Sequence, residues 1–329
     1  MSKVSILQAI NQALHDAMEE DEAVLVLGED VADREGGGVV GITKGLSTKY
    51  GDERVRSTPI SETGFMGAAV GAAMMGFKPV VEIMLMNFMT VCSDMVVNHA
   101  AKLRFMSGGQ TTVPLTIRTM TGAGMGTGGQ HSDFLEAWFA HTAGLKVVIP
   151  STPEDAYGLM RSCIDDPDPC IFVETMPYLW TQGEAAERGH RVLIGKARTI
   201  SEGTDVSIIG YGRVIQQVAA EAAKLAEEGI SAEVIDLRSV SPWDVETVIA
   251  SVQKTGAAIV VHEAVKKFGA GAEIASTIHE RAHAHLRAPV RRIGAKYAPV
   301  PFSNVLETAS LPSVADVMAA ARELAKVSA

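Results

Sequence analysis

The chain opens on an amphipathic run, MSKVSILQAINQALHDAMEE, with apolar residues at helical spacing and an acidic end. After it, short stretches read as strands, most of them largely apolar and so buried on both faces: residues 23–28, 54–58, 78–85, 113–120, 145–150 and 170–175. Helical patterns separate them, around residues 43–50, 62–75, 89–106, 133–144 and 151–164. The last begins Ser151-Thr152-Pro153-Glu154, where a hydroxyl cap, a first-turn proline and an early acid mark a helix start. This alternation predicts a parallel sheet flanked by helices. Periodicity fades from Met176 to about Glu202. A second alternation follows, with strands at DVSIIGYG, SAEVIDLRSV, AAIVVHEA and PVRRIGA and helices between and after them. The expected organisation is an α/β domain over residues 1–180, a linker over 181–202 and a smaller α/β domain over 203–329.

Composition narrows the class. A length of 329 residues allows two domains with separate cores, and 47% hydrophobic with 21% charged residues is ordinary for a globular chain. A net charge of -10 argues against nucleic acid or an anionic membrane surface as partner. No apolar run approaches the roughly 18 residues of a membrane span. The N-terminal stretch has neither a signal-peptide core nor an Arg-rich transit pattern. Cys92, Cys163 and Cys170 lack metal-type or redox-type spacing, so the expectation is reduced thiols in a cytoplasmic protein.

Candidate chemistry concentrates in the stretch STPISETGFMGAAVGAAMMGFKPVVEIMLMNF, residues 57–88. Glu62 stands at the mouth of a helix made mostly of Gly, Ala and Met. It is either a first-turn acid favoured by the helix dipole or a partly buried carboxylate kept for proton exchange with a ligand. Gly124, Gly126 and Gly129 spell a dinucleotide pattern after a strand, without the acidic residue expected about 20 positions later. The alternative is a mobile loop that presents Gln130, His131 and Ser132. His279-Glu280-x-x-His283 spells a zinc motif with no third ligand in view. His262-Glu263 ends a strand of the second half and faces a ligand, a subunit or solvent.

The segments TPISETGF, GAAVGAA, GFKPVVEIM, MNF, GGQHSDFLEAWFAHTAGLKVVIPSTPEDA and EGISAEVIDLRSVSPWD resemble one family closely and in order. It is the beta subunit of the thiamine-diphosphate-dependent decarboxylating component of 2-oxo acid dehydrogenase complexes, of the pyruvate or acetoin type. The resemblance implies a pyrimidine-binding parallel-sheet domain followed by a transketolase C-terminal-like domain. It implies that Glu62 hydrogen-bonds the aminopyrimidine, that Phe88 packs on that ring, and that Ile60 and Met84 line the pocket. It places Glu29 at the family's strand-end acidic position, with its role open, and His131 as the histidine of proton or acyl transfer to a lipoyl group. A structural potassium ion, held largely by backbone carbonyls in the family, maps onto Leu115, Cys163, Ile164, Asp166 and Asp168.

Stand-alone thiamine diphosphate enzymes carry a Gly-Asp-Gly motif for magnesium and the diphosphate. Here Gly51-Asp52 is followed by Glu53, and no such motif occurs. The resemblance therefore implies half a site. An alpha subunit would hold the diphosphate and magnesium in an α2β2 assembly with a second beta subunit, and a lipoyl acyltransferase core would be a further partner. Gln130 before His131, where branched-chain members carry a second histidine, leans toward a small substrate. Three other readings stay open: a split thiamine diphosphate lyase or transketolase without a lipoyl acceptor, a nicotinamide oxidoreductase built on the Gly124 loop, and a non-catalytic scaffold.

Overall fold

The computed structural model describes residues 3–327. The chain forms two compact units. One comprises residues up to Thr121 with Trp138–Ile194, and the other comprises Gly122–Ala137 with the residues from Gly195 on. The segment Gly122–Ala137, expected inside the first domain, thus belongs to the second unit, where buried side chains take up its backbone groups.

In the first unit the strand β1 (Lys3–Ser5) leads into α1 (Ile6–Glu20). Ser5 and Gln8 bond each other's backbone N–H at 3.1 and 2.8 Å, a capping box that fixes the helix start. There follow β2 (Val24–Gly28), α2 (Leu46–Tyr50), β3 (Val55–Ser57), α3 (Glu62–Met74), β4 (Lys78–Leu85), α4 (Ala101–Met106), β5 (Thr116–Thr121), α5 (Glu136–Ala140, whose first two residues fall in the second unit), β6 (Lys146–Val148), α6 (Pro153–Asp165), β7 (Cys170–Thr175) and β8 (Gln182–Glu184). Within this unit strands β6-β7-β5-β4-β2-β3 pair in parallel in that order. Every residue of β5 and β7 is buried, as central strands covered on both faces require, including Arg118 and the three threonines of β5. Ile10, Leu14 and Met18 of α1 pack with Leu159 and Met160 of α6 and with Phe172 of β7. Each such side chain contributes about 1.5–3 kcal/mol on burial.

The same sheet buries three charges. Arg118 of β5 donates from Nη1 to Glu82 of β4 at 2.7 Å and from Nε to Glu174 of β7 at 2.8 Å. Burial pushes the Glu174 carboxyl up to about 7, an effect that the Arg118 charge opposes and the Glu82 charge reinforces.

The second unit continues with β9 (Arg198–Ser201), β10 (Val206–Gly210), α7 (Gly212–Glu227), β11 (Ala232–Asp236), β12 (Ser239–Ser241), α8 (Val245–Thr255), β13 (Ala258–Val265), α9 (Ala270–Ala282), β14 (Arg291–Ala295), α10 (Asn304–Ser310) and α11 (Val314–Ala325). Its sheet order is β14-β13-β10-β11-β9. Strand β9 lies in the stretch read as linker. It forms the antiparallel edge, pairing Ser201 with Val234 and Arg198 with Asp236.

Two expected helices are cut short. In place of a helix over residues 89–106 the chain forms a tight 3-10 turn over Met86–Thr90, a wide π-helical turn over Met95–Ala100 and then α4. The helix expected from Asp133 is only Glu136–Ala140. Among the described residues no helix is long and apolar enough to cross a membrane, and all three cysteines are buried free thiols.

Candidate active site

The carboxyl ends of β2, β3 and β4 lie side by side, with Gly28 opposite both Ser57 and Glu82. Ligands of open α/β sheets bind at this edge. Gly28 allows the approach, because a Cβ there would stand 2.9 Å from the Glu82 carbonyl oxygen. The chain leaves β2 as Glu29, and Thr58 donates its backbone N–H to the Gly28 carbonyl at 2.9 Å as it leaves β3. Glu62 then begins α3, where the unpaired amides of a helix N-terminus favour a negative charge. The Thr63 hydroxyl donates to the Val91 carbonyl at 2.6 Å. That bond ties the first turn of α3 to the turn that carries Phe88 at the end of β4.

Of the residues singled out from the sequence, Glu29, Ile60, Glu62, Met84 and Phe88 all fall at this edge. Ile60 is 84% exposed, whereas Glu62, Met84 and Phe88 are half-buried and Glu29 is buried. Glu29 Oε1 and Thr58 Oγ1 are buried and have no hydrogen-bond partner among the described residues. Burial first, then the charges of Glu62 and Asp30, push the Glu29 carboxyl above the usual range. Buried Cys92 is pushed up to about 12, mainly by burial, with the Glu62 charge adding to it. Buried polar atoms without partners are costly and mark a place where a polar ligand completes the bonding. The edge thus offers an acidic residue at a helix mouth, an aromatic ring and two unsatisfied oxygens, which fit an aminopyrimidine.

His131 belongs to the other compact unit, half-buried in a 3-10 turn over Gly129–His131. Its backbone N–H donates to the Gly128 carbonyl at 3.2 Å. Thr127 Oγ1 and Ser132 Oγ lie 2.7 Å apart and close the turn.

The residues expected to hold potassium gather at the C-terminal end of α6, where helix carbonyls carry partial negative charge. The Leu115 carbonyl accepts the Cys170 amide at 2.9 Å and the Cys163 carbonyl accepts the Asp166 amide at 3.3 Å. A carbonyl oxygen has a second lone pair, so both can still face a cation. Lys146 donates to Asp166 at 2.6 and 2.7 Å, and Arg104 to Asp168 at 2.8 Å. The carboxylates are thus already neutralised, leaving carbonyl oxygens, with buried Ile164 on the same turn, as the donor set for a hard cation. Among the described residues no group of three or more His, Cys, Asp or Glu is arranged to hold a metal.

Residues 2–179 match the transketolase pyrimidine binding domain and residues 195–317 match the transketolase C-terminal domain. The chain is 45% identical over 325 residues to the pyruvate dehydrogenase E1 component subunit beta of Bacillus subtilis, covering 98% of this chain and 99% of that one. It is 43% identical over 332 residues to the acetoin:2,6-dichlorophenolindophenol oxidoreductase subunit beta of Cupriavidus necator, covering 98% of each. The chain belongs to this family of dehydrogenase beta subunits. A split-gene transketolase, solved as an inactive beta4 tetramer, shares the fold with a TM-score of 0.79 at 21% identity, over 98% of this chain and 99% of that one.

Family membership reorders the remaining motifs. The glycine pattern of Gly124, Gly126 and Gly129 opens no long helix. The amides of Gly124 and Gly126 donate to the Glu307 carboxylate, which occupies the donors a dinucleotide phosphate would need. His279 and His283 are exposed with ring centres 6.3 Å apart, and α9 ends before His283, so the zinc spelling builds no site. His262 is buried, stacked on Tyr211 and held by the Ala264 carbonyl, and burial pushes it down to about 4. Glu263 turns inward to Arg213 and the Ala123 amide. The sequence reading did not find Glu136, Arg213 or Glu307. The one available signal was an acid in otherwise apolar surroundings, as at Glu136 in FLEAWFA.

Proposed function

We propose that this chain is the beta subunit of a heterotetrameric 2-oxo acid dehydrogenase of pyruvate or acetoin type. It would decarboxylate the 2-oxo acid, or cleave acetoin, on thiamine diphosphate and pass the acyl group to a lipoyl carrier. The observation that carries the reading is the edge of β2–β4, where Glu62 at a helix mouth adjoins the buried and unpartnered Oε1 of Glu29. In this reading Glu62 holds a proton against the ring nitrogen of the aminopyrimidine. Phe88 packs on the ring, while Met84, Ile60 and Glu29 line the pocket. Thiamine diphosphate, when bound, supplies the acidic carbon and the electron sink. The protein supplies orientation, proton control and exclusion of water. His131 assists the transfer of the acyl group. Potassium at the carbonyls of Leu115, Cys163 and Ile164, beside Asp166 and Asp168, would brace the end of α6.

The partner reading rests on two features. The chain has no Gly-Asp-Gly, so the diphosphate and magnesium fall to an alpha subunit. Helix α3 is apolar on all sides yet exposes Gly64, Ala68, Gly71 and Met74, with 80% exposed Met75 following it. A helix apolar all round is ordinarily covered, and small residues let another backbone approach. We assign this face to subunit contact within an α2β2 assembly, with the acyltransferase core binding elsewhere.

Calorimetry of thiamine diphosphate with magnesium tests the reading, on the chain alone and after assembly with an alpha subunit. Binding only in the mixture is expected. Glu62→Ala should assemble and fold, yet lose the activity of the assembled enzyme. Near-normal turnover by that variant would remove Glu62 from its assigned role.

A further inference from the structure

The segment that carries His131 is rich in glycine, with φ positive at Gly122, Gly124, Gly126 and Gly128. Such a stretch has many conformations open to it, and ordering it is entropically costly. In the second unit it is nevertheless held at three points. At its start the Ala123 amide donates to Glu263 at 2.9 Å, while Arg213 donates to the Ala123 carbonyl at 3.1 Å and meets Glu263 at 2.9 Å. At its end the Tyr211 hydroxyl donates to Glu136 at 2.7 Å. Between them Glu307 of α10, only 2% exposed, accepts the Gly124 amide at 2.7 Å and the Gly126 amide at 3.2 Å.

The middle hold is the one nearest the turn that presents His131. Backbone amides bonded to a carboxylate are roughly twice as strong as neutral pairs. The residues just before Glu307 close on the same stretch. A Cβ on Gly126 would stand 3.1 Å from Asn304 Oδ1, one on Gly129 3.2 Å from Pro299, and one on Gly128 2.4 Å from the Phe302 ring. Glycine at these positions therefore serves close packing against residues 299–307, and Glu307 supplies the directional bonds.

We propose that Glu307 is a positioning residue for His131: by holding the amides of Gly124 and Gly126 it fixes the loop from which His131 acts. The inference rests on the acyl-transfer role read for His131. A catalytic group misplaced by about 1 Å can lose on the order of 100-fold in rate, so an anchor at Gly124 and Gly126, a few residues before His131, matters to turnover.

The test uses Glu307→Ala, Glu307→Gln and His131→Ala, each assembled with the alpha subunit. Hydrogen exchange of the peptide spanning residues 122–132 is measured beside decarboxylation and acyl transfer to a lipoyl domain. Glu307→Ala should speed amide exchange at Gly124 and Gly126 by about tenfold or more. It should lower kcat for acyl transfer by about 10- to 100-fold, with KM for the 2-oxo substrate little changed. Glu307→Gln, which keeps one acceptor oxygen, should restore part of both and serves if the alanine variant does not fold. Unchanged exchange in both variants, or faster exchange with undiminished acyl transfer, overturns the inference. His131→Ala separates the two readings. If it impairs acyl transfer while the Glu307 variants do not, the positioning role alone falls. If it leaves acyl transfer intact, the role of His131 falls and the positioning role with it.

Discussion

Glu82 and Glu174 flank Arg118 in the middle of the first sheet, whereas Glu29 stands at the end of β2 with Glu62 and Asp30 as its charged neighbours. All three carboxylates are buried. In the first set an arginine fork meets the charge with two short, directional bonds. In the second, one oxygen has no partner among the described residues and the nearest charges repel it. A buried carboxylate that is paired holds strands together. One that is left unpaired costs free energy in the folded chain and is offset only by something that binds. The comparison separates residues that build the sheet from residues that await a ligand at its edge.

The largest effect that could break this comparison is expected from Arg118→Met. It leaves Glu82 and Glu174 buried together without a counter-charge, at a cost of about 3–5 kcal/mol of stability. Urea unfolding of the purified chain would measure it. A loss under about 1 kcal/mol would mean that the fork contributes little and that the two sets differ less than their geometry suggests.

How far the sequence discloses this difference follows from the kind of signal each feature leaves. Strands β4, β7, β10 and β13 are legible because largely apolar runs identify doubly covered strands. Glu62 is legible because a charge stands out before an apolar helix, and the family resemblance then gives it a role. The pairing of Glu82, Arg118 and Glu174 is not, since VVEIML, TIRTMT and IFVET each show one charge and only the strand order makes them neighbours. The same holds for β1 and β8, three-residue strands that define each other across most of the first unit. Residues 89–106 read as one helix, but the stretch is broken into a 3-10 turn and a π-helical turn, where Met95 packs close to Gly67. Glu307 lies more than 170 positions from the loop it holds, and no local pattern announces that contact.

A smaller effect is expected at Glu136, the end anchor of the His131 loop. Burial pushes its carboxyl up to about 7, with the Glu263 charge adding and the Tyr211 hydrogen bond opposing. A carboxyl whose folded value is raised contributes stability that is complete below its unfolded value, near 4.5, and is lost as pH rises through the folded value. The native chain should therefore lose stability between pH 4.5 and about 7 on this account. Glu136→Gln removes the titration and keeps an acceptor for Tyr211. Its stability should be flatter over that window and should exceed that of the parent at pH 8 by on the order of 1–3 kcal/mol. Parallel pH profiles for the two proteins would show that Glu136 titrates normally.

The smallest change in stability, and the sharpest contrast with Arg118→Met, is expected from Glu29→Gln. Its raised carboxyl behaves with the same sign as Glu136: the proton is favoured in the folded chain, and stability is lost as pH rises through the raised value. Replacing it with an amide removes the repulsion between Glu29 and Glu62 and leaves no charge uncompensated. At neutral pH the variant should match the parent or exceed it by up to about 1 kcal/mol, the gain common when a functional site is relieved of strain. Thiamine diphosphate binding in the assembled enzyme should weaken, because the oxygen that had no protein partner is no longer a carboxylate. A variant destabilised as much as Arg118→Met would place Glu29 among the residues that build the sheet, and the distinction drawn between the two sets would not stand. Unchanged stability with weakened binding is the pattern expected of a group whose partner comes from outside the chain.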